Sequence, residues 1–365
     1  GVKWVSRGAG LPAGNLYGIS ALDTTNCWVG TVNGSIYRTS NGGLNWTLVQ
    51  PSYQSGTCCD PWTAYLSNGK LIYASGVSNQ YIYISTNNGN TWTAPIFTVS
   101  GNDRNTVAAE VTGTGPYANY LYAAITPGNF SRSTNEGTSW TQTFTSSNTV
   151  PGTMICVGPN GTTNGGCVIY VTNTGSTVPC VYNFHRSTDG GATFTANVSS
   201  INDAGYVGTL NSAGRLVINN ARTRPYPMIA MDNSNGPYRG RLYLVYASNE
   251  PAGNGNKPDI ILRYSTNQGT TWSSRITVND NANPQLSDQW FPAIWCETTT
   301  GKLYIKWYDT RENPASYTTG VWATYSTTGG TAFAPNQRIS NASWTYPCPA
   351  CGANQNCYRG DYDAM

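Results

Sequence analysis

The chain has 365 residues and a formal net charge of +3, with only 10% of its side chains charged, 40 glycines, 25 tyrosines and 12 tryptophans. Lysines and arginines are scattered singly, which argues against nucleic acid as a partner, and no apolar run approaches the roughly 18 residues of a membrane-spanning helix. Abundant Gly, Ser, Thr and Asn, that aromatic load and the lack of a helical period predict an all-β chain of short strands joined by tight turns.

The first unit reads as four strands, LYGISALD from Leu16, CWVGTV from Cys27, SIYRTS from Ser35 and NWTLV from Asn45. Between the third and fourth lies a motif, TSNGGLNW from Thr39, that recurs along the chain. The further copies are STNNGNTW from Ser85, STNEGTSW from Ser133, STDGGATF from Ser187, STNQGTTW from Ser265 and STTGGTAF from Ser326. Successive starts lie 46, 48, 54, 78 and 61 residues apart. Strand-flanked repeats of roughly 40 to 50 residues are the mark of β-propeller blades.

Each position of the motif has a physical role. The third (Asn41, Asn87, Asn135, Asp189, Asn267) can accept backbone N–H groups ahead of it and hold a tight turn. The fifth is always glycine, as a positive φ would require, and the eighth is a large aromatic (Trp46, Trp92, Trp140, Phe194, Trp272, Phe333) suited to plugging a seam between sheets. The sixth copy has Thr328 in the Asx position and is expected to be the weakest turn. Unit five continues the pattern in YPMIAMD, RLYLVYAS, IILRYS and TWSSRITV, and unit six in FPAIWCE, KLYIKWYD and VWATYS. Segments 195–264 and 341–359 hold the longest insertions, where loops on a rigid ring usually carry binding.

The two ends read as parts of one further unit. VKWVSRG (Val2–Gly8) resembles an outgoing fourth strand and RGDYDAM an inner first strand, with the middle two missing. The expected architecture is a single domain over 1–365, a propeller of seven blades with the last assembled from both termini; six blades is the alternative. Ten cysteines point to an oxidising compartment. Cys156 and Cys167 flank the turn VGPNGTTNGG and are expected to bridge, while adjacent Cys58 and Cys59 would bond separate partners. Cys348, Cys351 and Cys357 in CPACGANQNC begin like a metal knuckle, but His185, the single histidine, is distant in sequence, so disulfides are favoured and no metal is expected. The first residue is Gly1 rather than Met, as if a leader had been removed or left out.

The six motifs resemble the Asp-box, or bacterial neuraminidase repeat, of sialidases and other secreted propellers. That resemblance implies a propeller fold over nearly the whole chain; it does not fix activity, because the box is a structural turn. Retaining sialidases use a Tyr nucleophile, and the resemblance adds a Glu partner, an Asp acid/base and three arginines that clamp a carboxylate bidentately. It places these groups at the entrances to inner strands. Matching positions are Asp103 and Arg104 in NDRNTVAAEV, Arg222 and Arg224 in ARTRPYPMIAMD, Asp288 in SDQWFPAIW, and Arg359, Asp361 and Tyr362 in YRGDYDAM. On a sialidase reading Tyr362 and Asp103 would be catalytic, with Arg104, Arg224, Asp288 and Arg359 on the ligand.

Two departures oppose catalysis. The Arg-Ile-Pro motif that usually carries the first clamp arginine is missing, and none of Glu110, Glu250, Glu297 and Glu312 stands out as the tyrosine's partner. The acidic run Asp309–Glu312 reads as an exposed loop with paired charges rather than a cation site. No phosphate-cradling glycine motif, nucleophile elbow or metalloprotease helix occurs, and no cofactor is expected. The favoured expectation is a secreted or cell-surface propeller that recognises or scaffolds without catalysis, with a glycan or another extracellular protein as partner. A sialidase-like exo-glycosidase is the alternative. The third is a structural subunit of an extracellular filament or surface layer, joined to its copies through the incomplete terminal blade.

Overall fold

The computed structural model describes residue 11 and residues 16–346, apart from 22–23, 32–34, 56–59, 77, 147–149, 175–179, 206, 213, 215, 251–254 and 284. The expectations placed on Val2–Gly8, on Cys58 and Cys59, on Cys348, Cys351 and Cys357, and on Arg359, Asp361 and Tyr362 lie outside the described residues.

Six antiparallel four-stranded sheets follow one another in chain order. Sheet one holds Leu16–Ala21, Cys27–Thr31, Ile36–Thr39 and Thr47–Leu48; sheet two Trp62–Tyr65, Leu71–Ser75, Asn79–Ser85 and Ile96–Ser100. Sheet three holds Asp103–Ala109, Leu121–Thr126, Asn129–Ser133 and Thr141–Thr145; sheet four Met154–Asn160, Thr163–Asn173, Cys180–Ser187 and Thr195–Asp203. Sheet five holds Met228–Met231, Leu242–Ser248, Asp259–Ser265 and Ile276–Thr277; sheet six Gln289–Cys296, Leu303–Asn313, Thr318–Ser326 and Gln337–Arg338, with Trp344–Thr345 added to its third strand. A small three-stranded sheet (Thr209–Leu210, Leu216–Ile218, Ala221–Arg222) occupies the long interval between sheets four and five.

From sheet two to sheet six, each first strand touches the first strand of the next sheet, so these strands form an inner wall. The second strands Leu71–Ser75, Leu121–Thr126 and Leu242–Ser248 are buried along their whole length. Both of their faces are covered by neighbouring sheets, which is why the sequence shows continuous apolar runs there instead of alternation. The largest apolar cluster runs through sheets four, five and six, from Ile169 and Phe184 through Leu244 and Leu262 to Ile305 and Trp307.

All six motifs form the same turn. The glycine N–H at position five donates to the hydroxyl at position one: Gly43 to Thr39 at 2.9 Å, Gly89 to Ser85 at 2.8 Å, Gly137 to Ser133 at 2.9 Å, Gly191 to Ser187 at 2.8 Å, Gly269 to Ser265 at 2.9 Å and Gly330 to Ser326 at 3.0 Å. These glycines have φ between +74° and +90°, a region costly for any side chain with a Cβ. The third residue accepts a second N–H, as in Thr91 to Asn87 at 2.9 Å and Thr193 to Asp189 at 3.0 Å.

The sixth turn closes in the same way. Thr328 Oγ1 accepts the Ala332 N–H at 3.0 Å, so a hydroxyl replaces the carboxamide without loss of the bond. The eighth-position aromatics reach the preceding sheet: Phe194 lies 4.7 Å from Phe130, Trp272 4.4 Å from Phe184, and Trp92 Nε1 donates to Val49 O at 2.5 Å.

Two expectations are corrected. Cys156 and Cys167 are free thiols: Cys156 pairs with Ile169 and Cys167 with Gly158, so the two sit diagonally rather than opposite one another. Diagonal Cβ atoms are about 7 Å apart, whereas a disulfide needs about 4 Å. The run from Asp309 to Glu312 is strand rather than exposed loop. Asp309 is fully buried and accepts from Trp307 Nε1 at 2.9 Å, Arg311 Nε at 2.8 Å and Gln289 Nε2 at 3.1 Å.

Candidate functional site

Because each sheet runs first strand to fourth in antiparallel order, the starts of all first strands share one face of the molecule. That face also carries the loops between second and third strands. The six turns, between third and fourth strands, fall on the opposite face. Asp103, Arg104, Arg222, Arg224 and Asp288 therefore share a face, as the inner-strand entrances required, and the turns are remote from them.

The side chains on this face are occupied differently from an open clamp. Asp103 is exposed, and the chain turns left-handed at Arg104 (φ +52°). The Arg104 side chain is only 2% exposed; its guanidinium stacks 4.5 Å over the Tyr226 ring, and Nη2 donates to Met154 Sδ at 3.6 Å. Three inner-strand entrances, of sheets three, four and five, thus meet around one arginine. Asp288 is buried and pairs with Lys257 at 3.5 Å. Burial pushes its carboxyl above the usual range, the Lys257 charge opposing and the Asp309 charge reinforcing that shift. Arg222 is drawn into the small sheet, paired with Val217, and Arg224 is half-buried beside it.

A second polar cluster joins sheets four and five. Asp203, at the end of sheet four's last strand, is 1% exposed; Glu250 follows sheet five's second strand. Arg275 bridges them, with Nη1 on Asp203 Oδ1 at 3.3 Å and on Glu250 Oε2, and Nη2 donating to Glu250 O at 3.1 Å. Burial, with Glu250 beside it, raises the Asp203 carboxyl to about 7, while Glu250 is held below its ordinary value by its position next to Asp203 and by the Arg275 charge. Elsewhere, a groove of about 340 Å³ between the same two sheets is lined by Ser199, Asn202, Arg263, Thr270 and Trp272. Thr270, Thr271 and Trp272 of turn five line it, and that turn lies on the face opposite the inner-strand entrances. Among the described residues no group of three His, Cys, Asp or Glu side chains is arranged to hold a metal ion.

The fold is of the β-propeller type. A xyloglucanase of glycoside hydrolase family 74 from Xanthomonas campestris superposes with a TM-score of 0.51 at 16% identity, covering 91% of this chain and 46% of its own. The chain thus spans about half the length of that enzyme. The Aleuria aurantia lectin, solved with Fucα1-6GlcNAc, gives 0.47 at 14% identity over 89% of this chain and 93% of its own. A Hadza microbial sialidase gives 0.39 at 13% identity over 79% and 58%. No family model matches the sequence, and no curated protein matches it.

The Asp203–Glu250–Arg275 cluster is not marked by any motif in the sequence. Glu250 was one of four unmarked glutamates; Asp203 lies in IND, a segment without motif character. The other three glutamates are used locally. Glu110 accepts from Thr112 N at 2.9 Å and Gly113 N at 3.1 Å, Glu297 from Thr299 N at 2.8 Å, and Glu312 from Arg338 at 3.2 Å. A weak signal was available, since the interval between motifs four and five is the longest and both carboxylates fall within it.

Proposed function

We propose that this chain is a secreted or cell-surface propeller that recognises a ligand without turning it over, on the face formed by the inner-strand entrances. The six turns are its Asp-boxes, and the terminal segments contribute to a seventh blade. The observation carrying the non-catalytic reading is the state of Arg104. An arginine that clamps a substrate carboxylate must offer two parallel N–H donors to an open site; this one is sequestered against Tyr226 and Met154. Asp288 is likewise spent on Lys257. Ligand contact on this face would fall to exposed Asp103, to Arg224 and to the neighbouring loops, with a glycan or an extracellular protein as partner.

A glycosidase reading draws on one observation, a carboxyl raised to about 7 beside a carboxylate held low. Its geometry opposes it. Both carboxyls, Asp203 and Glu250, are held on the one Arg275 Nη1 instead of being offered to a substrate.

An aryl sialoside assay and a glycan array on the same preparation test the proposal. We expect no fluorophore release, and we expect any ligand retained on the array to be weakened by Asp103→Ala or Arg224→Ala but not by Asp189→Ala. Hydrolysis abolished by Tyr362→Phe would overturn the non-catalytic reading.

A further inference from the structure

One register position sets the seam between sheets four and five apart. It lies on the third strand, two residues before each turn's first hydroxyl. Tyr83, Ser131, His185 and Thr324 hold it in sheets two, three, four and six, and they are between 0 and 5% exposed. In sheet five the residue is Arg263, which is half-buried. It lies opposite Leu244, on the face from which Tyr246 packs 5.2 Å from Tyr182 of sheet four. A guanidinium keeps its charged end toward water, and here the seam opens as the groove of about 340 Å³.

The wall of the groove is rich in hydrogen-bond donors. Arg263 Nε donates to the Tyr246 hydroxyl at 3.2 Å and Nη1 to Ser273 O at 2.9 Å, which holds the guanidinium in place; Nη2 has no partner among the described residues. Thr270 Oγ1 accepts from Arg186 Nη1 at 2.9 Å and Thr271 Oγ1 from Asn267 Nδ2 at 2.9 Å, so both hydroxyl hydrogens remain to be donated. Asn202 is exposed, and its amide makes no hydrogen bond among the described residues. Trp272, whose Nε1 is taken by Ser199 Oγ, adds apolar ring surface and no donor. Among the described residues no acidic side chain lines the groove, and the two carboxylates of the same seam, Asp203 and Glu250, are held on Arg275.

We propose that this groove is a second binding site, separate from the inner-strand entrances, for a carboxylate-bearing sugar. A guanidinium held by two of its nitrogens, with the third free and hydroxyl donors beside it, calls for an anionic acceptor. The Trp272 ring offers a surface for the apolar face of a pyranose. The unspent amide of Asn202 can both donate to and accept from sugar hydroxyls. An inorganic anion would use the guanidinium and leave the indole and the amide without a role. At about 340 Å³ the groove stands at the lower end of the range of about 300–1,000 Å³ that small-molecule sites occupy, which favours a small ligand.

The probes are the methyl glycosides of glucuronic, galacturonic and mannuronic acid, each titrated calorimetrically into the full chain beside its neutral parent glycoside and inorganic phosphate. Saturable binding of at least one uronide is expected, roughly tenfold or more tighter than its neutral parent and roughly tenfold or more weaker in Arg263→Gln. Asn202→Ala, at an exposed position, should lower the affinity by about threefold or more, and it carries the test if Arg263→Gln does not fold. Absence of saturable binding by all three uronides would overturn the proposal. Equal affinity for the neutral parents would do the same, as would equal affinity for phosphate, which would mark an anion pocket without sugar recognition. Uronide binding lost in Asp103→Ala or Arg224→Ala but kept in Arg263→Gln and Asn202→Ala would move the sugar to the inner-strand entrances and overturn it equally.

Discussion

At the residue scale, the conformation of single positions was partly legible. The invariant fifth glycine announced a positive φ, and all six copies have it. The role of the first Ser or Thr was not legible, because its partner is a backbone N–H four residues ahead rather than a side chain with a recognisable type. For the same reason Thr328 looked like a defect. A hydroxyl oxygen placed at that point accepts the Ala332 N–H as an Asx oxygen would, so the turn depends on an acceptor atom more than on a residue name.

His185, the single histidine, is a structural group with a measurable signature. Its Nδ1 accepts the Asn197 N–H at 3.1 Å, which fixes the proton on Nε2, 3.1 Å from Thr172 Oγ1. Burial lowers its pKa from 6.5 to about 4. A folded value below the unfolded one means that the unfolded chain takes up the proton first as pH falls. The stabilisation is fully present above pH 6.5 and is lost on descending towards 4, by on the order of 3 kcal/mol. Urea unfolding of the wild type and of His185→Gln at pH 7 and pH 4 should show the wild type losing about that much more than the variant. Parallel losses in the two proteins would contradict the assignment.

At the element scale, the strands of the described sheets were legible where period and turn chemistry agree over short distances, but the strand through Asp309–Glu312, whose charges suggested a loop, was not. What each element packs against was not readable. Arg104 is enclosed by Met154 and Tyr226, which are remote in sequence and come together only when successive sheets meet at the inner wall. The Asp203 and Glu250 carboxyls likewise belong to different sheets. The turns themselves are packing devices. Trp272 packs at a tilt 4.4 Å from Phe184 and donates to Ser199 Oγ at 3.0 Å, so Trp272→Ala removes a large aromatic from the seam between sheets four and five. We expect a loss of about 3 to 5 kcal/mol, seen as a lowered melting temperature, with ligand affinity on the opposite face unchanged when measured well below the transition. An unaltered melting temperature together with lost binding would move the candidate site to the face that carries the turns.

At the scale of the whole molecule, the repeated turn makes the ring directional. Every sheet from one to five is held down by the turn of its successor, while sheet six holds down sheet five and receives no such turn among the described residues. The sheets overlap like courses of roof tiles, each fixed by the next one laid. Mechanical load should then peel the structure in a preferred sense. A pull on the chain's ends ought to detach sheet six first, freeing sheet five, and so on toward sheet one, since no earlier sheet can leave without lifting the turn seated on it. In single-molecule stretching this would appear as a fixed sequence of rupture steps running against the direction of synthesis.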